Sequence, residues 1–412
     1  MIAVQTNLSS LAQLMPRASE AEGILRSCVH CGFCNATCPT YQLTGDELDG
    51  PRGRIYLMKQ MLEGAEVGTT TQTHLDRCLT CRNCETTCPS GVRYHSLLDI
   101  SREQLAKRVA RTASERVLRG TLRALMTRPA LFAFLLRIGQ FLRPLLPTLI
   151  RDKVPARAAA SGRRPVALRT RKLLMLEGCV QPSLSPNTNA ATARVLDRLG
   201  MQVLVAPAEV RCCGAVDYHL DAQARGLWHA RRNIDAWWPA IESGCEAIVQ
   251  TASGCGAFVK EYGQLLAADP AYAARANTVS LLALDLVELI RREPLERLRI
   301  NESGDRTLAF HCPCTLQHAQ KLGGAVEDVL RRLGFQLTAV PEAHLCCGSA
   351  GTYSITQPEL SKQLRDSKLA ALQSGDPSQI VTANIGCQVH LGAAAQVPVR
   401  HWIEIVDQAM QA

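Results

Sequence analysis

The chain has 412 residues, 47% apolar and 20% charged, with a formal net charge of +9. At roughly 150 residues per domain it can form two or three domains with separate cores, and the apolar fraction excludes a mostly disordered chain. The longest apolar stretch, Pro129 to Ile150, is broken by Arg137, Gln140, Arg143, Pro144 and Pro147, so no segment reaches the ~20 uninterrupted apolar residues of a spanning helix. The N-terminus lacks a basic segment followed by an apolar one, and the expected location is cytoplasmic, soluble or peripheral.

The 18 cysteines are too widely spread in too long a chain for a secreted disulfide scaffold, and their tight groups point to metal ligation. Residues 28–39 read CVHCGFCNATCP and residues 78–89 read CLTCRNCETTCP. Both have the spacing C-x2-C-x2-C-x3-C-P, in which three thiolates close on one iron–sulfur cube and the fourth crosses to the other. Cluster I is assigned Cys28, Cys31, Cys34 and Cys88, and cluster II Cys78, Cys81, Cys84 and Cys38. Zinc sites favour paired C-x2-C knuckles instead of four-cysteine runs. Pro39 and Pro89 are expected to end the turn after each crossing ligand. Between the motifs, Ile55, Leu57, Met58, Met61 and Leu62 give Pro51 to Glu63 a helical pattern, so residues 1–105 are expected to form an α-helical ferredoxin domain. Arg52, Arg54, Arg77, Arg82 and Arg93 lie near the motifs, where their charge can offset anionic clusters.

Residues 106–170 form a basic amphipathic connector. Residues 101–172 hold 18 Lys and Arg against three acids. Within them, LFAFLLRIGQFLRPLLPTLI is apolar over most of a helical surface, with a narrow polar strip at Arg137 and Gln140. Three readings apply: a segment held to anionic lipid by its arginines, a docking element for a partner subunit, or a helix packed between domains. The aromatics are not interleaved with the basic loop, and no nucleic-acid module is present.

The remainder is a duplication. Residues 195–214, VLDRLGMQVLVAPAEVRCCG, and 329–348, VLRRLGFQLTAVPEAHLCCG, are identical at ten of 20 positions. Each half runs strand, helix, short β-run, Cys-Cys-Gly, then another strand ending in Gly-Cys. This predicts two α/β domains with largely parallel sheets, residues 171–300 and 305–412. Sites in such sheets form at the carboxyl ends of strands. The first candidate set is Cys179, Cys212, Cys213 and Cys255; the second is Cys314, Cys346, Cys347 and Cys387, with Cys312 nearby. Glycine after Cys-Cys suits a close backbone approach. Cys245 has no counterpart and reads as a core thiol. There is no dinucleotide fingerprint, no Walker loop and no legible catalytic triad. His30 and His311 read as packing or hydrogen-bonding residues.

Two ferredoxin motifs followed by two cysteine-rich CCG domains resemble the iron–sulfur subunits of bacterial glycolate oxidase (glycolate dehydrogenase). The segments that carry the resemblance include RSCVHCGFCNATCPTYQLTGDELDGPRGRIYLMKQ, DRCLTCRNCETTCPSGVRYH, CCGAVDYHL, NIDAWWPAIE, TASGCGAFVKEYGQ, HLCCGSAGTYS and TANIGCQVHL. It implies an α+β multidomain fold with two 4Fe-4S clusters on the eight ferredoxin cysteines. It implies FAD on a partner subunit and not on this chain, a second flavoprotein-like subunit, and electron flow toward membrane quinone at the inner face of the cytoplasmic membrane. The chain would then be a relay with no catalytic residue of its own. Relatives with a complete CCG domain end in C-x2-C, where this chain has Ala252 and Asn384. The alternatives are a CCG-type catalytic subunit reducing a disulfide or quinone, a cluster subunit for another 2-hydroxy acid or glycerol 3-phosphate, or CCG domains acting only as a docking scaffold.

Overall fold

The computed structural model describes residues 5–145, 147, 154–207, 210, 212–301 and 306–411. They pack as two compact units. One comprises Met1–Arg119 with His344–Lys368, the other Gly120–Ala343 with Leu369–Ala412. The predicted 305–412 segment is therefore shared between units, since residues 344–368 belong with the ferredoxin motifs.

The first unit is helical throughout its described regular elements. Helices Ala18–Ser27, Pro51–Leu62, Thr69–Asp76 and Tyr94–Arg108 enclose a core of Leu25, Ile55, Met58, Met61, Leu62, Leu75, Leu97 and Leu98. Pro51 opens its helix at a position that needs no N–H. The buried Ile55, Met58 and Leu62 repeat at the spacing of one helical face. Gly53 permits the closest approach, because a Cβ there would lie 2.1 Å from the Glu47 carbonyl oxygen. Pro39 differs from the expectation: it begins the helix Pro39–Thr44 instead of ending a turn. Segment 344–368 is held by Tyr353, whose hydroxyl donates to the Arg77 carbonyl (3.0 Å), and by Asn83, whose amide donates to the His344 carbonyl (3.2 Å).

The second unit contains two four-stranded parallel sheets of the same order. Strands β1 (Arg171–Leu176), β2 (Met201–Leu204), β3 (Ala247–Gln250) and β4 (Ala283–Asp285) lie in the order β2-β1-β3-β4. Strands β5 (Thr307–His311), β6 (Gln336–Leu337), β7 (Gln379–Thr382) and β8 (Val399–His401) repeat it as β6-β5-β7-β8. Helix Pro186–Arg198 connects β1 to β2, and Gln223–Glu242 precedes β3. The short β4 and β8 were not apparent from the sequence, because three residues carry no readable alternation. In each sheet the first strand has neighbours reached in opposite directions, which opens a crevice at the carboxyl ends of β1 and β3.

The connector helix occupies Pro129–Leu142, followed by a 3-10 turn Arg143–Leu145. None of its residues is fully buried, and about half are half-buried. Residues 146 and 148–153 of the predicted segment lie outside the described residues.

Candidate metal centres

The two C-x2-C-x2-C loops have matching backbones. His30 and Gly32 in one, and Thr80 and Arg82 in the other, are left-handed. Such alternation bends a loop so that successive N–H groups face an anion, and the Thr80 N–H lies 3.5 Å from Cys78 Sγ. The third cysteine of each loop then enters a short helix, Phe33–Ala36 or Asn83–Thr87. Thr37 and Thr87, at equivalent places in the two motifs, share a hydroxyl hydrogen bond of 3.1 Å. The loops thus meet back to back, so each fourth cysteine projects toward the opposite loop.

The first cavity, with about 430 Å³ of open space, is lined by Cys28, Cys31, Cys34 and Cys88 together with His30, Arg52 and Tyr94. The second, about 370 Å³, is lined by Cys38, Cys78, Cys81 and Cys84 with Arg54, Arg82 and Tyr94. Pro51, Cys84 and Tyr94 belong to both walls. Burial, reinforced by Cys28, Cys88 and Cys31, pushes the Cys34 thiol up to about 12. Burial likewise raises Cys28, whose other neighbours include Cys88, and carries Cys84 far above its usual range. Thiols so crowded lose their protons together only around a cationic centre, so the donor sets fit sulfur-ligated iron. The imidazole Nε2 of His30 is buried with no protein partner, and a cluster sulfur would be an acceptor for it.

The five arginines separate by role. Arg54 is buried, with Nη1 4.0 Å from Cys38 Sγ, and also bonds Thr40 and the His74 carbonyl. Arg52 borders the first cavity and pairs with Glu47 (2.7 Å). Arg77 pairs with buried Asp49 (2.9 Å), Arg82 lines the second cavity, and Arg93 pairs with Glu20 away from either. Tyr94, whose hydroxyl donates to Cys78 Sγ (3.7 Å), and Thr40, 3.3 Å from Cys38 Sγ, were not apparent as site residues. The only signal for either was proximity to a motif cysteine.

In the second unit Cys179 follows β1, Cys212 and Cys213 follow β2, and Cys255 follows β3 at the start of helix Ser253–Lys260. All four meet at the sheet end. Cys179 and Cys213 hydrogen-bond to Cys212, and Cys213 also to Cys255. Bonds from Cys179 and Cys213, then the nearby His229 and the Gly214 N–H (3.4 Å), hold the Cys212 thiol well below its ordinary range. The Cys-Cys backbone is pinned by Asn233, donating to the Cys212 carbonyl (2.9 Å), and by Tyr262, donating to the Cys213 carbonyl (2.6 Å). Gly214 is left-handed, and a Cβ there would lie 2.4 Å from the Gly226 carbonyl oxygen. Four sulfur donors suit a thiophilic metal.

The members of the second set are assigned to both units. Cys312 and Cys314 follow β5 and Cys387 sits in helix Ile385–Gly392, all in the second unit. Cys346 and Cys347 belong to the first unit, where Gly348 repeats the close approach, its Cβ position 2.5 Å from the Ser361 carbonyl oxygen. Cys245 stands apart, donating to the Ala247 carbonyl (3.2 Å).

This is the architecture of an iron–sulfur protein with appended cysteine-rich domains. Residues 24–92 match the family model described as a 4Fe-4S dicluster domain, and residues 173–260 and 308–392 match that of a cysteine-rich domain, CCG. The chain is 66% identical to the glycolate oxidase iron-sulfur subunit of Escherichia coli (strain K12), over 99% of this chain and 100% of that protein. It is 30% identical to the probable glycolate oxidase iron-sulfur subunit of Bacillus subtilis (strain 168), over 90% and 89%. Lactate utilization protein A of Bacillus velezensis is 27% identical over 57% of this chain and 99% of its own length. The chain belongs to the glycolate oxidase iron–sulfur subunit family.

Proposed function

We propose that this chain is the electron-transfer subunit of a glycolate-oxidising complex, with Cys28, Cys31, Cys34 and Cys88 holding one cluster and Cys78, Cys81, Cys84 and Cys38 the other. The supporting observation is the wall shared by the two cysteine-lined cavities through Pro51, Cys84 and Tyr94, which suits a relay of two neighbouring centres. When bound there, 4Fe-4S clusters supply one-electron redox chemistry. The chain's own residues offer backbone N–H groups from the left-handed turns, and direct Arg54, Tyr94 and Thr40 at ligand sulfurs. Oxidation of glycolate to glyoxylate releases two electrons and two protons. A flavin on a partner subunit takes the pair, and the relay passes the electrons singly toward quinone at the inner face of the cytoplasmic membrane.

The test is anaerobic co-purification of the tagged chain with its partners, followed by substrate addition while cluster absorbance is recorded. Bleaching by glycolate, and not by lactate or glycerol 3-phosphate, is the expected result. Flavin present without glycolate bleaching would move the substrate to another 2-hydroxy acid.

The thiol group of Cys179, Cys212, Cys213 and Cys255 is also proposed to hold a thiophilic metal. Iron and zinc analysis of the wild-type chain and of Cys213→Ser tests it. Unchanged metal content in the variant would leave these cysteines a structural role.

A further inference from the structure

The exposed helix Pro129–Leu142 presents an ordered surface. Phe134, Ile138, Phe141 and Leu145 follow one another at intervals of four, three and four residues, which places them along a single line on a helix. Leu135 and Leu142 lie beside that line. Phe134 is 60% exposed, Phe141 83% and Leu145 82%. The opposite side is turned to the chain: Gln140 donates to the Pro155 carbonyl (3.4 Å) and Arg143 to the Val154 carbonyl (3.0 Å). The apolar stripe is therefore held outward by polar contacts behind it.

The charges around the stripe have one sign. No Asp or Glu occurs between Glu115 and Asp152. Arg128, Arg137 and Arg157 are exposed and enter no ion pair among the described residues. The stripe consists of aliphatic and phenyl groups, and the charged groups that flank it are guanidinium groups alone, with no carboxylate among them. That combination suits acyl chains beneath anionic headgroups. At 14 residues the helix is about 21 Å long, short of the ~30 Å hydrocarbon core, a length that suits a helix lying in the interface.

We infer that Pro129–Leu145 is an interfacial anchor, embedding Phe134, Ile138, Phe141 and Leu145 in an anionic phospholipid surface with Arg128 and Arg137 at the headgroups. The inference rests on the reading that electrons leave for membrane quinone, and names the surface that brings the chain there.

The test is co-sedimentation of the full-length, cluster-loaded chain with vesicles of phosphatidylcholine alone or mixed with phosphatidylglycerol. Neither glycolate nor partner is needed, so the outcome is independent of the bleaching experiment. The wild type should pellet with the phosphatidylglycerol vesicles, less so as salt rises. Phe134→Glu with Phe141→Glu should weaken binding by at least about tenfold, and Arg128→Gln or Arg137→Gln by about fivefold each. Phe141→Trp should give an emission blue-shift with these vesicles, relative to the wild type. Wild-type protein left in the supernatant with both vesicles, or no shift from Phe141→Trp, would overturn the proposal. So would a double glutamate variant that binds vesicles normally but no longer retains its partner subunit, which would make the stripe a protein-docking surface.

Discussion

The guanidinium of Arg54 reaches the sulfur of Cys38 from inside the core: Nη1 lies 4.0 Å from Sγ, and Arg54 is only 1% exposed. Burial works against its charge, but Cys78, Tyr94, Cys38 and Asp49 outweigh burial and keep it protonated. The corresponding neighbour of the first cavity, Arg52, is 40% exposed and paired with Glu47. Arg54 too has a carboxylate partner, Asp49 at 3.5 Å, but a buried positive charge stabilises the more negative, reduced state of a cluster more than a solvated one. The cluster held partly by Cys38 should therefore have the higher potential of the two.

Replacing Arg54 tests that ordering. Arg54→Gln should lower the potential of one cluster by on the order of 50 mV, about 1 kcal/mol for one electron, and leave the other nearly unchanged. An EPR-monitored redox titration resolves the two. Equal shifts in both clusters would show that Arg54 acts through the fold and not on its neighbour.

The crossing cysteines make a second prediction. Cys88→Ser should impair the cluster shared with Cys28, Cys31 and Cys34, although residue 88 belongs to the other motif in sequence. Cys38→Ser should impair the cluster of Cys78, Cys81 and Cys84. Paired EPR spectra of the two variants should show complementary losses. Losses that follow the sequence motif instead would exclude the crossing.

His401 makes stability depend on acid pH. Its Nε2 is 2.8 Å from the Thr251 carbonyl, and its Nδ1 accepts from the Ile403 N–H (3.3 Å). Only the neutral ring satisfies both, and burial pushes its pKa from 6.5 down to about 4. Below pH 6.5 the unfolded chain binds a proton that the folded chain refuses. Stability should therefore fall as pH drops from about 6.5 to about 4, by on the order of 3 kcal/mol. Denaturant titrations of the wild type and His401→Gln across that window should differ in slope, with the variant flatter.

Two left-handed glycines separate conformational strain from crowding. At Gly200 a Cβ would meet nothing within 4 Å, whereas at Gly214 it would lie 2.4 Å from the Gly226 carbonyl oxygen. Gly200→Ala should cost about 1 kcal/mol, the strain alone. Gly214→Ala should cost on the order of 3 kcal/mol or more and displace the Cys212–Cys213 backbone. Thermal melting distinguishes the two.

The repeated C-x2-C-x2-C-x3-C-P spacing by itself singled out the eight cysteines that line the two cavities, because loop geometry is local. The helix beginning at Pro51 and the left-handed turns at Gly200 and Gly334 were legible for the same reason. So were the strands that end before Cys179 and Cys255. Only the tertiary structure decided which of five nearby arginines is buried against a sulfur, since Arg54 differs from Arg52 only by facing the core. It also brought Tyr94 to Cys78 and placed Cys346 and Cys347 with the ferredoxin motifs, more than 250 residues away in sequence. Such partnerships depend on which surfaces meet when helices and sheets pack, and the sequence interval between the residues carries no record of that.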